Sequence, residues 1–291
     1  MNKFHTLTHK NSLLHLAPQF GCNPFKLTLN GQSVLDGNED IEKLKADFLC
    51  KGDFLAPFPN RVCDGKYTFE GKKYQLVKNE TGRGHALHGF IMKKKFDLDS
   101  TEETQEYTSA SFLTRIEKDE FEGYSFEIEV RITFILKEND LEIIMSGKNI
   151  GTENAPFGVG WHPYLTVDKK IDGCTLQIPA NRIMETDTEK ELIPTGRLLE
   201  NDFGPESRKI GDAQLDTCFC ELNENIAKFE NIELWMDESM NFFQSYTSDD
   251  RMSIAIEPMS CAPDAFNNEL GLTTLKPNEE ISFHFGVRLT R

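Results

Sequence analysis

The sequence predicts an all-β protein, mainly antiparallel, folded as one large β-sandwich. Three observations carry that expectation. Apolar side chains alternate with polar ones at a period of two over long runs; Gly, Asn, Asp and Pro separate those runs; and helical patterning is confined to one short, charged stretch at residues 41–48. A period of two sends alternate side chains to opposite faces of a pleated sheet, so one face can be buried while the other is solvated.

The elements follow in chain order. Residues 25–29 form a first apolar run, and residues 67–69 and 74–77 flank Glu70-Gly71, a hairpin signal. Residues 96–98 and 111–116 read as strands, and the polar stretch 100–107 between them reads as a solvated hairpin tip or strand edge. The clearest strand spans residues 126–136, where Phe126, Ile128, Val130, Ile132, Phe134 and Leu136 occupy every even position. Glu138-Asn139-Asp140 breaks the pattern, and it resumes at Leu141, Ile143 and Met145, which predicts an antiparallel hairpin. Shorter runs follow at 175–178, 232–236, 242–246 and 252–256, and a final strand spans 281–289. No Pro- or Ser-rich linker interrupts the series, so residues 1–291 are expected to form a single β-sandwich domain.

Charge narrows the range of partners. With 48 acidic and 32 basic residues the formal charge is −16, which argues against binding nucleic acid or an anionic membrane surface, since both need a positive face. Seven cysteines are scattered without framework spacing, as suits a reduced, intracellular chain. Cys218 and Cys220 form a lone C-x-C pair, better explained as two strand residues on one face than as a metal site. The first twenty residues lack a signal-like apolar run, and no segment is long enough to cross a bilayer. A cytoplasmic protein, monomer or homodimer, with no metal and no cofactor is expected.

Four fragments set polar residues in stiff local sequence. Pro57-Phe58-Pro59-Asn60-Arg61-Val62 presents Arg61, a planar fork of donors suited to an oxygen-rich ligand, although a structural ion pair accounts for a lone Arg as well. Gly82-Arg83-Gly84-His85-Ala86-Leu87-His88-Gly89-Phe90 packs His85 and His88 among glycines that allow close backbone approach, but it lacks the ending of a phosphate loop and a third metal ligand. Gly158-Val159-Gly160-Trp161-His162-Pro163-Tyr164 sets His162 before a proline that biases it toward extended geometry, among aromatic rings that suit the C–H faces of a sugar, although a buried His satisfied by backbone accounts for this fragment equally well. Ile254-Ala255-Ile256-Glu257-Pro258 ends an alternating strand in a carboxylate; if Ile254 and Ile256 face the core, Glu257 faces the other way, where it can serve as a general base, although an exposed Glu at a strand end accounts better for this fragment taken alone.

In this order the fragments resemble the aldose 1-epimerase (galactose mutarotase-like) family. The resemblance runs from about residue 60 to 267 and includes Asn60-Arg61-Val62, Gly71-Lys72-Lys73-Tyr74, Leu87-His88-Gly89, His162-Pro163-Tyr164, Leu215-Asp216-Thr217-Cys218-Phe219, Glu257-Pro258 and Pro263-Asp264-Ala265-Phe266-Asn267. It implies a supersandwich fold and a cofactor-independent mutarotase that interconverts the α and β anomers of a free aldohexose. Glu257 would be the general base, His162 the general acid and His88 its assistant, with Arg61 and Asp216 binding sugar hydroxyls. The chain departs from many relatives in having His85 in place of Asn, Phe90 in place of Gly, Trp161 in place of Asn and Leu165 in place of Phe. His85 is expected to touch the substrate where relatives use Asn. A modest upward shift from a neighbouring carboxylate is expected to keep His162 protonated near neutral pH.

The alternatives are a hexose-6-phosphate 1-epimerase, which needs more convergent cations than Arg61 and Arg83, and a non-catalytic carbohydrate-binding protein of the same fold, which has no need of a matched acid and base. A glycosidase using Asp216 and Glu257 as paired carboxylates is a further possibility.

Overall fold

A computed structural model describes residues 4–38, 41–46, 49–187, 189 and 192–290. Two large antiparallel sheets dominate it. One runs, neighbour to neighbour, through Asp97–Glu103, Thr108–Ile116, Ile128–Leu136, Asp140–Asn149, Glu280–Leu289, Ile232–Met236, Ile226–Phe229, Thr175–Gln177 and Arg208–Lys209. The other runs through Ile193–Glu200, Ala180–Asp187, Asp216–Leu222, Phe242–Thr247, Ile254–Met259, Gly160–Trp161 and Phe54–Leu55, with Tyr164–Leu165 also paired to Ile254–Met259. A meander of His5–His9, Ser12–Ala17, Asn23–Leu29 and Gln32–Ser33 precedes them.

The predicted central hairpin forms, with Ile132 opposite Met145 and Phe134 opposite Ile143. Its burial alternates as the sequence requires, with each even residue of Ile128–Leu136 buried. The C-terminal strand completes the centre of this sheet by pairing Phe285 with Ile143 and Phe283 with Met145. The two sheets meet through aromatic rings. Phe54 lies 5.7 Å from Phe134 and 6.5 Å from Phe285, and Trp161 lies 6.0 Å from Phe285, so the sandwich core is closed by rings contributed from both layers.

Several details depart from the sequence reading. Phe126 is buried but precedes its strand, which begins at Ile128. The polar stretch 100–107, by contrast, lies as expected: residues 100–103 end the edge strand Asp97–Glu103, every residue of which is exposed, and the rest turns into Thr108–Ile116. The outer hairpin Ala180–Asp187 and Ile193–Glu200 has no clean alternation, because it lies at the margin of its sheet, where little burial constrains the side chains. The short charged stretch forms the helix Ile41–Ala46; residues 47 and 48 of that expectation lie outside the described residues. No helix among the described residues is long and apolar enough to cross a membrane.

Cys218 and Cys220 lie on the strand Asp216–Leu222 and pack with Met184, Phe242, Met259 and Ala262 in a small apolar cluster. Gly147 marks a point of close packing in the first sheet, since a Cβ there would lie 2.3 Å from the Phe157 ring. Gly147→Ala is therefore expected to destabilise the protein by ~1–3 kcal/mol through overpacking, read as a lower urea midpoint at unchanged m-value. A midpoint equal to the parent's would show that Phe157 moves aside freely.

Candidate active site

The floor of the site is the face of the second sheet that points away from the sandwich core. Register explains why. Asp216 is opposite Tyr246, and Gln244 is opposite Glu257, so these four side chains share one face of three adjacent strands, while Phe219, Phe243, Ile254 and Ile256 join the main core. The inference that Glu257 projects opposite Ile254 and Ile256 holds, but it is not exposed there: it is only 2% accessible, because loops cover this face.

Two loops complete a cleft of about 230 Å³ whose lining includes Arg61, His88, His162, Asp216 and Glu257. The first loop carries His162 between the short strands Gly160–Trp161 and Tyr164–Leu165. His162 N–H donates to the Asp53 carbonyl at 2.9 Å, and its own carbonyl accepts from Gly52 N–H at 2.8 Å, so the backbone is held on both sides. The Tyr164 ring stacks parallel to the imidazole at 5.3 Å.

The second loop is the ladder of Arg61–Val62 with Ala86–Leu87. Asn60 and His88 flank it in left-handed conformations, with φ of 54° and 63°. They bond reciprocally: His88 N–H donates to the Asn60 carbonyl at 2.9 Å, and Asn60 N–H donates to His88 Nδ1 at 3.1 Å. An Nδ1 that accepts leaves the proton of the neutral ring on Nε2, so His88 is set as a donor from that atom. Gly89 (φ 68°) lets the chain pass the Ala56 carbonyl, which a Cβ would approach to 2.1 Å.

Arg61 is buried and gripped by a carboxylate absent from the sequence reading. Its Nε and Nη2 donate to Glu80 Oε2 and Oε1, each at 2.9 Å, and Arg83 Nη1 donates to the same Oε1 at 2.9 Å. Across the floor, Gln244 Nε2 donates to Asp216 Oδ1 at 2.8 Å. His162 Nε2 lies 3.4 Å from Glu257 Oε1, while Glu257 Oε2 and His162 Nδ1 are buried without a hydrogen-bond partner among the described residues.

Burial controls the protonation of this cluster. It pushes Glu257 well above the usual carboxylate range, reinforced by Asp216 and opposed by Arg61. Burial also raises Asp216, against the pull of Arg61 and Arg83. His162 is driven down to about 3 by burial, and His88 well below its ordinary value by burial and then by the nearby His162 and Arg61. The expectation that a carboxylate raises His162 is therefore overturned: burial sets the direction for the imidazole, and the same burial favours the protonated form of Glu257. Burial thus favours the neutral form of each partner.

Of the residues expected at the site, Arg61, His88, His162, Asp216 and Glu257 line the same cleft. His85 does not. It is buried behind the loop, where its Nδ1 accepts the Asp64 N–H at 3.1 Å. The three other departures from the family pattern also lie outside the cleft lining. Phe90 stacks on Phe121 at 4.3 Å; Trp161 is core, its Nε1 donating to the Gly52 carbonyl at 3.2 Å; and Leu165 is fully buried. Sequence reasoning missed Glu80, Gln244 and Tyr246 as cleft residues. Gln244 had a signal, a polar residue amid the apolar run Phe242-Phe243, whereas Glu80 had none.

A closed antiparallel sandwich with a polar cleft on the outer face of one sheet is the architecture of galactose mutarotase-like proteins. The chain belongs to the aldose 1-epimerase family, whose sequence model matches residues 3–288. It is 29% identical over 248 residues to the Escherichia coli protein YihR, covering 81% of this chain and 78% of that one. It is 26% identical over 178 residues to the aldose 1-epimerase of Streptococcus thermophilus, covering 59% of this chain and 49% of that enzyme. It shares its fold with a galactose mutarotase-like protein from Clostridium acetobutylicum at a TM-score of 0.88 and 20% identity, over 98% of this chain and 94% of that one.

These protonation states have a consequence for stability. Burial lowers both His88 and His162 and raises Glu257, so as pH falls through the ordinary histidine value of 6.5 the two rings take up protons in the unfolded chain before they do in the folded one, while Glu257 acts in the opposite direction above 4.5. The stability tied to neutral histidines is complete above pH 6.5 and is lost as pH falls below it. Replacing His88 with Asn removes one of the two histidine contributions. The stability difference between parent and His88→Asn is expected to shift against the parent by up to ~1.4 kcal/mol per pH unit on going from pH 6.5 to 4.5. Urea titrations across that window test this, and a constant difference would refute it.

Proposed function

We propose that this protein is a cofactor-independent mutarotase acting on a free aldohexose, with residues 1–291 read as one catalytic unit. The observation that carries the proposal is the buried contact between Glu257 and His162 at 3.4 Å, in a cleft that also presents Arg61 and Asp216. Anomer exchange needs a proton taken from O1 and one given to the ring O5. Transfer of the single resting proton from Glu257 to His162 Nε2 creates both partners at once, a carboxylate base and an imidazolium acid. A sugar whose hydroxyls bond the carboxylate favours that transfer, because it replaces the solvation that burial removed.

The step balances within the site. Glu257 removes the O1 proton, the O1–H electron pair forms the C1=O1 carbonyl, the C1–O5 bond breaks, and O5 takes the proton from His162. The open aldehyde rotates about C1–C2, O5 attacks the other face of C1 and returns its proton to His162, and Glu257 returns its proton to O1. His88, a donor from Nε2, assists at the ring-oxygen side, while Arg61 and Asp216 hold hydroxyls. In this reading His85 supports the loop instead of the sugar.

A free sugar is favoured over a phosphorylated one because the Arg61 fork already bonds Glu80, which Arg83 shares, so these three groups leave one net positive charge in a space that Asp216 and Glu257 also line. Glu257→Gln is expected to keep the fold and sugar binding while slowing anomer exchange by ~10²–10⁴-fold, the scale of general acid–base catalysis, measured by polarimetry or exchange NMR. Exchange at the parent rate would sink the assignment. In the same assay the parent is expected to turn over glucose or galactose faster than glucose 6-phosphate, and the reverse order would favour the phosphorylated substrate.

A further inference from the structure

We propose that Glu80 is a positioning residue for the sugar: it fixes the Arg61 guanidinium in a single orientation and offsets its charge within the cleft. The inference rests on the reading of Arg61 as a ligand for sugar hydroxyls.

The geometry is specific. Arginine has five N–H donors in a rigid plane. Glu80 takes the Nε edge of Arg61 in a two-point bond, with both contacts at 2.9 Å, and the long contact from Nη1 to Asn60 Oδ1 is 3.5 Å. Two coplanar bonds lock the rotation of a guanidinium, so its remaining Nη hydrogens keep one direction. The side chains of the pair are 9% and 11% exposed, so without Glu80 the Arg61 fork would lose its partner away from bulk water. Burial works against the Glu80 carboxylate, but the bonds from Arg61 and then Arg83 outweigh it and hold Glu80 below the usual range, keeping it ionised.

Glu80 also organises the loop that delivers Arg61 and His88. Its N–H donates to the His85 carbonyl at 3.1 Å, and its carbonyl accepts from Arg83 and Gly84 N–H at 3.1 and 2.7 Å. The turn it closes leads directly into Ala86–Leu87, the strand paired with Arg61–Val62. One carboxylate thus sets both the backbone turn beside Arg61 and the direction of its side chain. Its charge reaches the floor as well, since Glu80 opposes Arg61 at Asp216.

The test compares Glu80→Gln, Glu80→Ala and Glu257→Gln in the anomer-exchange assay. Arg61 would hold sugar equally in the ground and transition states, so loss of its anchor is expected to raise KM about tenfold for Glu80→Gln, with kcat within about twofold of the parent. The uncompensated Arg61 charge is also expected to move the acid limb of kcat/KM to lower pH. In Glu80→Ala, added formate is expected to lower KM toward the parent value, with chloride at equal ionic strength having no such effect. An unchanged KM in Glu80→Gln overturns the proposal. So does a fall in kcat alone that tracks loss of folded protein and ignores formate, because that is the signature of a purely structural ion pair. The two readings separate cleanly: parent-rate exchange in Glu257→Gln refutes the mutarotase mechanism itself, whereas lost exchange there with unaltered KM in Glu80→Gln refutes only the role of Glu80.

Discussion

The site depends on a carboxyl and an imidazole taken out of water together. Glu257 and His162 are 2% and 6% exposed and lie 3.4 Å apart. An isolated charge at either position would be strongly unfavourable, so burial favours the neutral form of both, with the proton they can exchange on the carboxyl. That makes the cleft responsive to what enters it. A ligand rich in hydroxyls supplies hydrogen bonds that stabilise the ionic form, and the proposed acid and base then appear together. The strands that carry Glu257 and Gln244 are buried on both faces, so this part of the floor has little freedom to adapt.

The loops opposite are held by backbone geometry more than by packing. Asn60 and His88 both adopt left-handed conformations, which Asn and His tolerate better than most side chains, and each satisfies the other through a backbone amide. Protonation of His88 at Nδ1 would break the bond from Asn60 N–H, so the neutral state of this ring is a structural requirement of the loop as well as a result of burial. Gly89 completes the arrangement, because no larger residue passes the Ala56 carbonyl.

The long strands were legible because each has one buried face: the period of two at residues 128–136 and 281–289 is the imprint of a single core. The hairpin at 180–200 was not, since a sheet margin imposes hydrogen bonding without imposing side-chain type. At the site, Glu257 was readable as the odd carboxylate on an apolar strand, and the family pattern supplied His88, His162, Arg61 and Asp216. Glu80 was invisible because its partner lies 19 positions away, on the far side of the hairpin Lys66–Phe69 and Lys72–Gln75, and no local pattern links the two. His85 misled because it stands where many relatives carry Asn, so the family pattern pointed it at the ligand, whereas its ring accepts from the Asp64 backbone. The protonation of His162 was beyond sequence altogether, because it depends on how completely water is excluded.

The exposed strand Asp97–Glu103 gives part of the net charge a location and a use. It forms one end of the nine-stranded sheet, and its seven residues, all open to solvent, include Asp97, Asp99, Glu102 and Glu103. Lys95 and Arg131 contact Asp97 and Asp99, whereas no cation is found on Glu102 or Glu103 among the salt bridges of the described residues. A free strand margin is ordinarily a template on which another chain can add. Here a second molecule approaching edge to edge would bring carboxylates against carboxylates, so a surplus that looks like bulk solubility in the composition also works as a local barrier to fibrous self-association.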